Sequence, residues 1–75
     1  MDKIGGSFGA NVEYYRKKSG LSRASLAEWL GISERAVFNW ERCGSIPRTY
    51  WLLEALAEAV GTDVWRLFAP ESYRE

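Results

Sequence analysis

Residues 23–42 constrain the fold of this chain most, because two short apolar stripes at helical spacing are separated there by one glycine. The residues of the two stripes are Leu26, Ala27, Leu30, Val37 and Trp40. Gly31 suits a tight turn because glycine tolerates a positive φ angle, and Ser33 is a good N-cap for the helix that follows. The stretch therefore predicts two short helices joined by a turn, the second at about residues 34–43.

The length and composition favour one small all-α domain over residues 1–75. A hydrophobic fraction of 47% excludes a disordered chain. Apolar spacing, capping residues and glycine stops predict five helices, at about residues 9–19, 23–30, 34–43, 48–60 and 63–68. Pro47 suits the first turn of the fourth helix, and Thr62 is expected to cap the fifth. Residues 1–7 are expected to form a flexible arm and residues 71–75 a loose tail.

Several classes of function have no support in the sequence. The chain contains no His and one Cys, and it offers no phosphate loop, no cluster of metal ligands and no nucleophile beside a base. We therefore expect no enzymatic activity, no cofactor, no metal and no small-molecule ligand. Cys43 cannot form an intrachain disulfide, which fits a reducing cytoplasm. The sequence shows no membrane-spanning apolar run of ~20 residues and no signal peptide.

The charges balance overall but divide unevenly along the chain. Residues 1–48 carry eight Lys or Arg against five Asp or Glu, and residues 49–75 carry two against five. The net charges of +3 and −3 predict a basic face and an acidic face, although ordinary surface charges in a small sample can also fall this way. A helix-turn-helix in the basic half is an arrangement that can read the DNA major groove.

The joint spacing of motifs over residues 8–68 resembles the Cro/C1-type (XRE-like) helix-turn-helix repressors of phages and bacteria. The matching positions are Phe8-Gly9, Arg16, Gly20-Leu21-Ser22, Leu26-Ala27, Leu30-Gly31-Ile32-Ser33, Val37, Trp40-Glu41, Ile46-Pro47, Leu56-Ala57 and Gly61. The resemblance implies a five-helix lambda-repressor-like fold and a homodimer on a pseudo-palindromic double-stranded operator in the bacterial cytoplasm. It also implies a buried ion pair between Arg16 and Glu41. Cys43 followed by Gly44 is a spacing similar to that of a phage-encoded Cro-like subgroup.

Four side chains on the outer face of the second motif helix are predicted to contact bases. Arg35 can donate twice to guanine, and Asn39 carries the two-sided amide that suits adenine. Glu34 can accept from cytosine, and Phe38 can touch a thymine methyl group. The alternative is that Arg35 and Asn39 are ordinary solvated positions and that Phe38 lies at the edge of the core. Glu34 could instead simply repel wrong placements.

A second set of residues is predicted to contact phosphates, which fix register and supply affinity. Those residues are Arg23, Ser33, Arg42, Ser45, Arg48 and Tyr50. Arg23 stands where the resembled family often has a glutamine that grips a phosphate.

Two questions stay open at the level of sequence. Trp51, Trp65 and Phe68 could be deeply buried, or could form an apolar patch at a subunit interface. The main hypothesis is a sequence-specific transcriptional repressor. The alternative is a protein-interaction module, such as an antitoxin or anti-repressor partner, on the same scaffold without DNA binding.

Overall fold

Five α-helices make up the structure, a computed structural model that describes the backbone of residues 4–74 and the side chains of residues 7–74. The helices are α1 (Ile4–Lys18), α2 (Arg23–Leu30), α3 (Glu34–Arg42), α4 (Tyr50–Ala59) and α5 (Val64–Phe68), followed by a 3-10 turn at Glu71–Tyr73. The described residues contain no strand. The all-α prediction with a central helix-turn-helix is therefore confirmed.

One apolar core joins all five helices. α1 packs against α3 and α5, while α2 packs against α3 and α4. The buried side chains are Phe8, Val12, Tyr15, Leu26, Ala27, Val37, Trp40, Leu56, Ala57, Val60 and Leu67. Full burial of a large apolar side chain contributes about 1.5–3 kcal/mol, so this set is the main stabilising term. α2 and α3 contact this core with their inner faces only.

Local capping explains the bounds of α2 and α3. The hydroxyl oxygen of Ser22 accepts a hydrogen bond from the Ser25 amide at 3.0 Å, and that of Ser33 accepts from the Ala36 amide at 3.1 Å. Gly31 ends α2 in the left-handed region at φ 72°. Each cap satisfies an amide that the first helical turn leaves unpaired. The two helices accordingly begin at the predicted residues.

Three helix starts differ from the sequence prediction. α1 begins at Ile4 rather than near residue 9, so residues 4–7 of the predicted arm are helical and residues 1–3 lie outside the described chain. Glycine weakens a helix without forbidding it, and Phe8 anchors this end by stacking on Phe68 with ring centroids 4.8 Å apart.

α4 and α5, in contrast, begin one or two residues later than predicted. Thr49 caps α4, so Pro47 lies buried in the preceding connection instead of in the first helical turn. The Thr62 amide donates to the Ala57 carbonyl at 2.9 Å and closes the end of α4. Asp63, and not Thr62, holds the N-cap position of α5, and its side chain makes no capping hydrogen bond.

Residues 71–74 of the predicted loose tail are packed on the domain, and Glu75 lies outside the described residues. Arg74 donates from Nε to Asn11 Oδ1 at 2.7 Å. The Asn11 amide nitrogen in turn donates to the carbonyls of Leu67 at 3.0 Å and Ala69 at 2.8 Å. Asn11 is fully buried, so these bonds satisfy a polar group that would otherwise be costly to bury. They fasten residues 71–74 to α1.

Candidate nucleic-acid interface

The outer side of α3 carries the four residues that are predicted to contact bases. The inward residues of this helix, Val37, Trp40 and Glu41, are buried. Helical spacing leaves the opposite side to Glu34, Arg35, Phe38 and Asn39. Of these, Glu34 and Arg35 are exposed, and Phe38 and Asn39 are half-buried. The structure therefore brings the predicted set together on one accessible surface.

Two shallow clefts flank this surface. The first is lined by Arg23, Glu34, Arg35 and Phe38. Asn39 lines the second, along with Ser45 and Arg48 from the connection between α3 and α4. Two residues predicted for phosphate contact thus lie beside a residue predicted for base contact.

A buried ion pair attaches α3 to α1. Arg16 donates from Nε to Glu41 Oε2 at 2.6 Å and from Nη2 to Glu41 Oε1 at 3.2 Å. The Arg16 and Glu41 side chains are 7% and 0% exposed. A third bond runs from Arg16 Nη1 to the Leu21 carbonyl at 2.8 Å. The pair that the family resemblance implies is therefore present, and it joins α3 to α1 and to the start of the helix-turn-helix.

Glu41 also has a second cationic partner, which sequence reasoning missed. Arg23 Nε lies 2.8 Å from Glu41 Oε1, and the Arg23 side chain is 27% exposed. One buried carboxylate therefore bridges two arginines, one from α1 and one from α2. The only signal in the sequence was that Arg23 replaces the glutamine common at this position. That departure suggested a phosphate contact rather than an ion pair.

Two guanidinium groups lie over the Phe38 ring. The centre of the Arg23 guanidinium is 5.3 Å from the Phe38 ring centroid, and that of Arg35 is 5.5 Å away. Both distances are within the range of cation–π attraction. Phe38 is absent from the apolar side chains that pack on the hydrophobic core. The alternative that it is an edge-of-core residue therefore has no support in the structure.

Arg42, at the end of α3, is paired on the protein. Its Nη2 donates to Glu13 Oε2 at 3.0 Å, and Lys17 Nζ lies 3.2 Å from the same oxygen. Burial alone would raise the pKa of Glu13, but the Lys17 hydrogen bond and the charges of Arg42, Lys17 and Arg16 together lower that pKa below its usual 4.5. Arg42 remains 54% exposed, so its charge still faces the solvent.

The remaining predicted phosphate contacts surround the outer face of α3. Ser33 caps the helix, where unpaired amides favour an anion. Ser45, Arg48 and Tyr50 are all exposed after the helix ends. Arg35 and Arg48 make no ion pair with any residue that the structure describes. These two arginines are the cations best placed to meet an external anion.

The aromatic residues left open by the sequence divide between core and surface. Phe68 stacks on the buried Phe8 ring and belongs to the core margin. Trp51 and Trp65 are 67% and 52% exposed. Trp51 borders the cleft that contains Asn39. Trp65 instead contacts Tyr73 edge-on, with ring centroids 6.0 Å apart.

Comparison with known proteins places the fold in a family. A helix-turn-helix domain family matches residues 7–66. The chain belongs to this family. A comparison with curated protein sequences finds no match. Among the described residues, no helix has both the length and the apolar character needed to cross a membrane.

Solved structures share this helix-turn-helix fold. The hypothetical transcription factor NHTF from Neisseria superposes with a TM-score of 0.80 at 23% identity, over 93% of this chain and 79% of that one. The clp gene regulator ClgR from Corynebacterium glutamicum has a TM-score of 0.75 at 24% identity, over 88% and 69% of the two chains. Hydroxypropylphosphonic acid epoxidase from S. wedmorenis has a TM-score of 0.78 at 26% identity, over 87% of this chain. The present chain spans 34% of that epoxidase.

Proposed function

We propose that this helix-turn-helix domain is a sequence-specific DNA-binding transcription regulator, a phage-type repressor of the Cro/C1 (XRE-like) kind that places α3 in the major groove. The observation that carries the proposal is the contrast between the two sides of α3. The inner side is locked by core residues and the buried Glu41. The outer side presents base-reading side chain types to solvent. A rigid helix with a free polar face is what direct readout requires.

Base readout is assigned to the outer face of α3. Arg35 is exposed and makes no ion pair with a described residue, so its planar fork is available to the O6 and N7 atoms of guanine. Asn39 stands one turn further along, where its amide can pair with adenine. Glu34 accepts from cytosine in this scheme, and Phe38 offers the apolar contact.

Phosphate contacts are assigned to the two edges of the helix. The N-terminus of α3 at Ser33 serves one edge; on the other are Arg42, Ser45, Arg48 and Tyr50. Arg23 is left out of this set because the buried Glu41 carboxylate already holds its guanidinium and its side chain is only 27% exposed. With about three to five phosphates neutralised per subunit, log K should fall against log salt with a slope of about −2.7 to −4.5 per subunit, or about −5 to −9 for two subunits on one operator.

The proposal extends to the assembly and its setting. We propose that two copies bind a pseudo-palindromic operator in the bacterial cytoplasm, without a cofactor, a metal or catalysis by this domain. The exposed Trp51 and Trp65 supply apolar area for a contact between subunits. Two-fold symmetry would then match the symmetry of the operator.

A protein-interaction module remains the second candidate, and two observations favour it. The net charge is zero, and the cations Arg23 and Arg42 each already pair with a carboxylate of the same chain. A large exposed aromatic, Trp29 at 71% exposure, also lies on α2. Such a module would itself act as an antitoxin or anti-repressor partner and would bind another protein instead of DNA.

Site selection from random duplex DNA at moderate salt, followed by gel shifts over a salt series, tests the proposal. Arg35→Ala and Asn39→Ala should each lower the affinity for the selected site by about 1–3 kcal/mol and relax preference at one or two base pairs. Arg48→Ala is the matched control, since loss of a phosphate contact weakens all sequences alike and lowers the salt slope by about one. Wild-type binding by both α3 variants would refute the site assignment. A protein that shifts no duplex even at low salt would favour the interaction module.

A further inference from the structure

We propose that Phe38, whose ring contacts the guanidinium groups of Arg23 and Arg35, reads the 5-methyl group of a pyrimidine that lies next to a guanine in the major groove. The inference rests on the proposed DNA-binding function and names the base step that this surface recognises. Phe38 is the specificity-determining residue. Arg23 is a positioning residue, which acts through Phe38 rather than by touching DNA.

The first argument is that core packing does not explain Phe38. Its ring is half-buried on the outer face of α3, yet it is not among the side chains that pack on the core. The ring instead meets two cations, at 5.3 Å and 5.5 Å from its centroid. An aromatic ring that has no core partner and stands on a polar face offers an apolar surface to an external partner.

The second argument is that Arg23 is tied back to the interior. Its Nε is 2.8 Å from Glu41 Oε1, and Glu41 is itself fully buried and bonded to Arg16. A guanidinium fixed in this way gives the Phe38 ring a defined neighbour on one side. The ring orientation is therefore set before any DNA arrives, which lowers the entropy that binding must offset.

The third argument concerns the chemistry of the groove. Thymine presents a methyl group in the major groove where cytosine presents none, and an apolar side chain is the partner that suits it. Arg35 lies three residues before Phe38, on the same helical face, with its fork free for guanine. An apolar probe beside a bidentate donor matches a 5-methylpyrimidine adjacent to guanine, either thymine or 5-methylcytosine.

The first experiment changes one base of the DNA site and uses the wild-type protein. In the selected site, thymine next to the guanine assigned to Arg35 is replaced by deoxyuridine, which removes only the methyl group. Wild-type affinity should fall about fourfold, the value of one buried methyl group. In the reciprocal arm, cytosine at that position should gain affinity when it is replaced by 5-methylcytosine. Equal binding of the thymine and deoxyuridine sites would overturn the inference while leaving the DNA-binding proposal intact.

Protein variants separate positioning from phosphate contact. Phe38→Ala should bind the thymine and deoxyuridine sites equally. Arg23→Lys keeps the positive charge but lacks the planar group, so it should lose the methyl preference and leave the salt slope unchanged. If Arg23 instead contacts a phosphate, Arg23→Lys would keep the methyl preference, and Arg23→Ala would weaken both sites alike and lower the salt slope by about one. Thermal melting of each variant verifies that it is folded. A site selection that returns no sequence would overturn both proposals together.

Discussion

Replacement of Gly9 by alanine should destabilise the domain, although helix propensity alone predicts the reverse. Gly9 is buried in α1 where that helix meets α3. A β-carbon built there would lie 2.7 Å from the carbonyl oxygens of both Trp40 and Glu41. Backbone atoms cannot swing away as a side-chain tip can, so α1 and α3 would have to separate. The helix that would move is the one that carries the candidate site.

The two opposing terms have different sizes. Alanine is favoured over glycine inside a helix by about 0.5–1 kcal/mol. Overpacking typically costs about 1–3 kcal/mol, and contact with two backbone oxygens places Gly9→Ala toward the upper end of that range. The net loss is therefore about 2 kcal/mol. For a domain of this size, that loss lowers Tm by about 8–16 °C.

Thermal and urea denaturation, monitored by the circular dichroism signal of the helices, measure this loss of stability. Ala10→Gly is the matched control, because Ala10 is exposed on the same helix and its replacement tests propensity alone. Both substitutions should destabilise the domain, although one replaces glycine by alanine and the other replaces alanine by glycine. If Gly9→Ala proved more stable than the wild type, the close approach of α1 to α3 would be refuted.

Two further predictions concern the buried and partly buried carboxylates. Glu41→Gln leaves Arg16 and Arg23 without a counter-charge and should lower the free energy of unfolding, measured by urea denaturation, by about 3–5 kcal/mol. The double substitution Arg16→Met with Glu41→Leu should lower it by less. A loss under 1 kcal/mol for Glu41→Gln would mean that the pair behaves as a surface contact. The pKa of Glu13 is lowered in the folded state, so its stabilising contribution is present above the usual pKa of 4.5 and is lost as the pH falls through the lower folded value. The stability difference between wild type and Glu13→Gln should therefore shrink below pH 4.5, and a difference that stays constant with pH would contradict this sign.

The helix-turn-helix was the most predictable part of the fold because its signals are local. Ser22 and Ser33 cap helices that begin directly after them, and Gly31 ends α2 with a positive φ. Capping by a hydroxyl depends on residues three positions apart. Such features can be read from the sequence without knowledge of the tertiary structure.

The parts that could not be predicted depend on contacts between distant residues. Asn11 reaches carbonyls more than fifty residues away, and Arg74 orders the tail by bonding to it. Arg23 and Glu41 are eighteen positions apart. No periodicity or cap signals a contact of that kind. The positions of Glu34, Arg35, Phe38 and Asn39 could be predicted because they follow from the periodicity of α3, whereas their electrostatic neighbours could not.

The way α3 is held explains why a chain this small keeps two arginines on one buried carboxylate. Base readout requires side chains placed within about 0.5 Å of their partners. Apolar packing of Val37 and Trp40 holds the inner side of α3 in the core, but the hydrophobic effect that drives it is non-directional. The bonds from Glu41 are directional and reach α1 through Arg16 and α2 through Arg23. Because desolvation offsets much of the energy of a buried pair, we infer that its main contribution is orientation. In the proposed complex, it would fix the angle at which the outer face of α3 meets DNA.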